Sequence, residues 1–231
     1  MGGEPMLNAA LTLGDGLDTL RWALAGISLL TSLAYLAVES QPASTLRTTF
    51  KTAAIGAFVP LPLLDLGGNM ANLTLVALAA AFLLSSFGDY FLALEDDDKN
   101  FPRGLGSFLL AHIFYLIVLV PHAITPRGPY LAGITLLALL SVGTLAWLWP
   151  VLGKLRVPVL LYMAVISAMA IAAFSVPLPW LGIGALLFVF SDAVIAISKF
   201  RYPVPFRGPI VWITYYAGQA LIALSLLAAL R

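Results

Sequence analysis

No cysteine occurs in the chain, so disulfides, thiol nucleophiles and thiolate metal sites are excluded. The only histidines, His112 and His122, stand ten residues apart toward opposite ends of one expected helix, so no zinc or other metal site is expected. Charge is scarce at 10% of residues and nearly balanced at +1. With no basic patch interleaved with aromatics, no nucleic-acid partner is expected. Gly-x-Ser-x-Gly, phosphate-loop and dinucleotide signatures are absent too, and no cofactor is expected.

What the chain does have is apolar surface. Of its 231 residues 61% are hydrophobic, and the mean hydropathy is +0.99. A soluble core needs far less, so the solvent is lipid. Windows of about 20 residues, enough to cross roughly 30 Å of hydrocarbon, predict an all-α polytopic membrane protein with eight transmembrane helices. They fall near 21–40, 49–66, 73–94, 105–122, 130–149, 156–176, 179–198 and 209–229. The connections are short, so 1–231 reads as a single integral-membrane domain. Residues 1–20 lack a basic stretch and carry Glu4, Asp15 and Asp18; they are expected to be a short polar tail, not a cleaved signal. Met6 argues against a myristoylation signal.

Basic residues separate by side. Arg47, Lys51, Lys99, Arg103, Lys154, Arg156, Lys199, Arg201 and Arg207 flank alternate connections, while Arg21, Arg127 and Arg231 lie opposite. The positive-inside rule then predicts both termini outside. Trp22, Trp149, Trp180 and Trp212 lie near helix ends, where interfacial anchors are expected, and Pro60 and Pro62 predict a bend in helix 2.

Polar groups inside the spans fall at one depth. Asp89, in "SSFGDYFLAL", lies about six residues before helix 3 leaves the membrane, and Asp192, in "FVFSDAVIAISKF", about seven before Lys199; both sit roughly 10 Å below the inner edge. His112 and Tyr216 lie about eight residues into the outward-running helices 4 and 8, roughly 12 Å deep. Lys51 reaches toward the same layer, and Gln219 shares a helix face with Tyr216. The segments around Asp89 and Asp192 also align: Arg103-Gly104 with Arg207-Gly208, His112 with Tyr216, Tyr115 with Gln219. An even number of helices per half predicts two parallel four-helix repeats.

Each group has a plainer reading. Asp89 and Asp192 serve equally as polar helix contacts, although a charge in a span costs at least about 2.5 kcal/mol. His112 suits a helix-bridging hydrogen bond, and Lys51 suits snorkelling to the interface. Asp65 reads as interfacial, and "EDDDK" (95–99) as a solvated loop. Two carboxylates sharing a site do not both ionise cheaply, which supplies an acid and a base together. Acid–base hydrolysis of a membrane-resident substrate fits, and so does proton-coupled transport of a lipid or small molecule.

"SSFGDYFLAL", "FPRGLGSFLLAHIFY", "FVFSDAVIAISKF" and "WITYYAGQALI" together resemble the YhhN family of integral-membrane lysoplasmalogenases. The likeness covers helices 3–4 and 7–8, with "EDDD" as a loop departure. It implies hydrolysis of the vinyl-ether bond of lysoplasmalogens, giving a fatty aldehyde and a glycerophospho-alcohol. It also implies Asp89 and Asp192 as the catalytic acidic pair, with His112, Lys51, Gln219 and either Tyr215 or Tyr216 in support. Lys51, Arg103, Arg156 and Arg207 are expected near the head-group phosphate. The partners implied are a lysophospholipid substrate and membrane lipid, in what is expected to be a bacterial inner membrane. An intramembrane aspartyl protease is a weaker alternative, since Ser86 stands where the Gly-x-Gly-Asp signature has its first glycine.

Overall fold

The computed structural model describes residues 5–66 and 72–230. They form ten α-helices: α1 (Met6–Leu11), α2 (Asp18–Val38), α3 (Thr45–Gly56), α4 (Pro60–Leu64), α5 (Leu73–Ala93), α6 (Asp97–Leu119), α7 (Pro129–Leu148), α8 (Arg156–Ser175), α9 (Pro179–Phe200) and α10 (Arg207–Ala229). Seven of the helices are long and apolar enough to cross a membrane, so this is a multi-pass membrane protein. Glu4 and Arg231 lie outside the described residues.

The second expected span is broken in two. Pro60 has no N–H to give the Gly56 carbonyl, and its ring crowds that oxygen. The chain tightens instead, with Phe58 N–H bonding Ile55 O and Val59 N–H bonding Gly56 O. Together α3 and α4 still traverse the bundle. At one end the Arg47 guanidinium reaches Ala93 O at 3.4 Å; midway Phe58 packs on Phe82; at the other end Asp65 meets Arg21 at 2.8 Å. The second expected span thus corresponds to two shorter helices, neither long enough to cross a membrane singly.

The two tightest hairpins bring the carboxylates inward. A Cβ on Gly88 would lie 2.5 Å from the Phe108 ring, which fixes how closely α5 and α6 approach. In α9 and α10, Gly184 and Gly218 face one another; a Cβ on Gly184 would lie 2.9 Å from Gly218 O. These hairpins are the segments that align in sequence, and the four-plus-four repeat remains a proposal resting on that alignment. Helix α7 is peripheral: Leu137 and Leu148 are its buried residues.

Two expectations need correction. The N-terminal segment is more than a polar tail, because α1 buries Ala10 and Leu11 completely and Ser225 Oγ of α10 lies 3.6 Å from Met6 Sδ. Arg21, fully buried, ties this segment down through Asp15 at 2.6 Å, Asp18 at 3.2 Å and Asp65 at 2.8 Å. Trp212 is no interfacial anchor: it is 2% exposed, and its indole N–H donates to Ser32 O and Oγ at 3.1 Å. Trp22, Trp149 and Trp180 are exposed.

Candidate active site

Asp89 and Asp192 come from α5 and α9 and line one cavity of about 280 Å³. Lys51, Tyr162, Ser191 and Tyr215 stand with them in the polar lining, Ser141, Thr144 and Ser167 add hydroxyls from α7 and α8, and the rest is mainly aliphatic and aromatic.

The two carboxylates have different neighbours. Asp89 is 2% exposed. Its Oδ2 accepts from Tyr215 OH at 2.7 Å, and its Oδ1 lies 3.7 Å from Lys51 Nζ. An ammonium and a phenol donor together form the environment of an anion. Lys51 also sits 5.8 Å above the Tyr35 ring, so its charge is directed into the bundle and does not snorkel away. Asp192 Oδ2 accepts from Tyr162 OH. Its Oδ1 accepts a long bond from Ser191 Oγ at 3.4 Å, from a hydroxyl shared with Phe188 O at 2.7 Å. Asp192 thus has hydroxyl neighbours where Asp89 has an ammonium, and is the carboxyl better suited to carrying a proton.

Behind Asp89 runs a chain of oriented groups. Tyr115 OH donates to Gln219 Oε1 at 2.6 Å; Gln219 Nε2 donates to Tyr215 OH at 3.4 Å; Tyr215 OH donates to Asp89. Gln219 and Tyr115 are fully buried and do not line the cavity. They fix the phenol that touches the carboxylate.

His112 is brought close but stands behind the cavity wall. Its Nδ1 is 2.5 Å from Phe108 O. A carbonyl only accepts, so Nδ1 carries the proton and Nε2 presents a lone pair. Nε2 is buried without a hydrogen-bond partner among the described residues. The ring packs edge-on to Phe188 at 4.8 Å and Tyr162 at 5.6 Å, and so abuts the residue that holds Asp192.

Tyr216 is in the layer by depth but points elsewhere. Its OH lies 3.0 Å from Ser28 Oγ, and Ser28 gives its own proton to Ala54 O at 2.6 Å, so the tyrosine donates. Of the adjacent tyrosines only Tyr215 lines the cavity. The expected head-group cations also thin out. Lys51 lines the cavity, whereas Arg103, Arg156 and Arg207 do not. Arg103 instead bonds Asn100 Oδ1 at 3.2 Å, and Arg156 bonds Trp149 O at 3.2 Å.

Tyr162 and Ser191 are the site residues that sequence reasoning missed. Tyr162 lies six residues into α8, counted from Arg156, a depth that places it in the same layer. Nothing else marked it.

The YhhN family profile matches residues 46–226. The chain is 37% identical over 151 residues to proteins named "Lysoplasmalogenase" from Mycobacterium bovis and Mycobacterium tuberculosis, covering 63% of this chain. The match spans 58% of the length of each relative. No solved structure matches. The matched region contains both carboxylates and each of the side chains around them, and the chain belongs to the YhhN family.

Proposed function

We propose that the protein is a lysoplasmalogenase of a bacterial inner membrane, hydrolysing the vinyl-ether bond of alkenyl-glycerophospholipids with Asp192 as acid and Asp89 as base. The observation that carries this reading is the pair of carboxylates in one apolar cavity, each with a different set of neighbours. The names of the two mycobacterial relatives supply the substrate class.

The reaction follows from the two environments. Asp192 Oδ1 gives its proton to the outer vinyl carbon, and the electron pair of the double bond forms the new C–H bond. The adjacent carbon becomes an oxocarbenium-like cation, stabilised by the Asp89 carboxylate. Water adds to that carbon and passes a proton to Asp89, giving a hemiacetal. In collapse, the hemiacetal hydroxyl returns a proton to Asp192 while Asp89 protonates the departing glycerol oxygen. One water is consumed, both carboxyl groups are restored, and the products are a fatty aldehyde and a glycerophospho-alcohol. Lys51 holds Asp89 anionic and offers a charge to the phosphate. Tyr162 and Tyr215 keep the carboxylates apart in orientation, with His112 packed behind Tyr162.

Asp89→Asn and Asp192→Asn test the mechanism, read as aldehyde release from a lysoplasmalogen by protein that elutes as a folded species. General acid–base groups contribute about 10²–10⁴-fold, so each variant is expected to lose at least that. A folded variant that keeps the wild-type rate refutes the mechanism. Movement of the lipid across vesicles without aldehyde release refutes hydrolysis in favour of transport.

A further inference from the structure

The cavity has an open side. Among its described lining residues, those more than a third exposed are Leu140 of α7 at 55%, and Leu186 and Phe190 of α9 at 38% and 49%. They continue the lipid-facing rows of those helices, with Leu136 and Leu139 beside them on α7 and Ile183 on α9. Leu140 lies eight residues from the end of α7 and Phe190 ten from the end of α9. At 1.5 Å per residue that is roughly 12–15 Å from the helix ends, inside the hydrocarbon and away from water. Asp192 is eight residues from the same end of α9, level with the opening.

The seam between α7 and α9 is sealed at the helix ends, where the Arg201 guanidinium bonds Trp147 O and Trp147 packs against Tyr202 at 6.0 Å. Elsewhere α7 is held from the α8 side, by the Ser167–Ser141 hydrogen bond of 3.0 Å and by Phe174 against Gly133. The slot thus has an apolar mouth facing lipid and a polar interior whose cavity-lining cation is Lys51. That polarity matches an amphiphile with one hydrocarbon chain and a phosphate in its head group.

We infer that the α7–α9 seam at Leu140, Leu186 and Phe190 is a lateral portal, through which the hydrocarbon chain of a single-chain, phosphate-bearing amphiphile enters from the bilayer with its phosphate toward Lys51. The portal deepens the lysoplasmalogenase reading and rests on it for the identity of the head group.

The absence of cysteine makes the test clean. Leu140→Cys and Phe190→Cys are made singly, with Leu30→Cys, on the lipid-facing surface of α2 at 68% exposure, as control. Each is blocked with a benzyl methanethiosulfonate and then freed with dithiothreitol. At the portal positions the adduct is expected to lower hydrolysis of a long-chain lysoplasmalogen about tenfold or more, reversibly, with little change for Leu30→Cys. In a second arm, a non-hydrolysable alkyl-ether lysophosphocholine is expected to slow labelling at Leu140→Cys and Phe190→Cys and not at Leu30→Cys. Protection at the portal in a protein that releases no aldehyde would keep the portal and reject the hydrolase. Labelling rates indifferent to the lipid, or adducts at both positions that leave long-chain hydrolysis unchanged, overturn the portal.

Discussion

Two adjacent tyrosines of α10 give a sharp internal comparison. Tyr215→Phe deletes the hydroxyl that donates to Asp89 at 2.7 Å and accepts from Gln219 at 3.4 Å. A hydrogen bond to a charged group is worth about 1.5–3 kcal/mol, and the stranded Gln219 donor adds to the loss. If that bond orients Asp89 during water attack, its removal raises the barrier by a similar amount, or about 10–100-fold in kcat at 1.4 kcal/mol per decade. Tyr216→Phe deletes a hydroxyl that donates to Ser28 at 3.0 Å, while Ser28 keeps its own bond to Ala54 O. That neutral bond is worth about 1 kcal/mol of stability, and activity is expected to hold within about twofold. The assay is aldehyde release at saturating lysoplasmalogen in nanodiscs, beside thermal melts of both variants. Equal losses in the two variants, or a wild-type kcat for Tyr215→Phe, would refute the assignment of Tyr215 to the site and of Tyr216 to packing.

Tyr162→Phe removes the hydroxyl donor to Asp192; kcat is expected to fall about tenfold or more, with the pH–rate profile displaced as well, whereas an unchanged profile would make Tyr162 a packing residue only. Gly184→Ala puts a Cβ 2.9 Å from Gly218 O; forced overpacking costs about 1–3 kcal/mol, so a melt unchanged from wild type would mean that α9 and α10 separate easily. Arg21→Met removes the guanidinium shared by Asp15, Asp18 and Asp65 and is expected to lower thermal stability. The hydrogen bond from Arg21 holds the Asp15 carboxyl well below its ordinary value of 3.8. The folded state therefore binds that proton less readily than the unfolded chain, and the stabilisation is complete above 3.8 and lost as the pH falls below it. Melts between pH 3 and 7 should show a steeper acid loss for wild type than for Arg21→Met, and parallel curves would remove Asp15 from the account.

Depth was the property most legible in the sequence. A helix rises by a fixed amount per residue, so counting from the charged ends put Asp89, Asp192, His112 and Tyr216 into one layer without knowledge of packing. The apolar runs located the crossings for the same reason, and the bend at Pro60 followed from its missing N–H. The burial of α1 was not legible. A six-residue helix has too little apolar surface to announce itself, and its place depends on Arg21 gathering carboxylates from the connecting segment, α2 and the end of α4.

Azimuth was hidden, and azimuth decides the chemistry. Successive residues on a helix differ by about 1.5 Å in depth but by about 100° in direction. Tyr215 and Tyr216 were therefore indistinguishable by counting, though one meets Asp89 and the other Ser28. Tyr162 escaped for a related reason. A phenol in a span carries no ionisation cost to flag it as a carboxylate does, and its role appears only when α8 packs beside α9. The same limit applied to the basic residues: Arg103 and Arg156 were near the right end of the bundle, yet their side chains turn to Asn100 and Trp149. Lys51 differs because Tyr35 and Asp89 draw its ammonium inward. A cation within reach of one carboxylate makes the pair chemically unequal, and the proposed division into acid and base rests on that inequality.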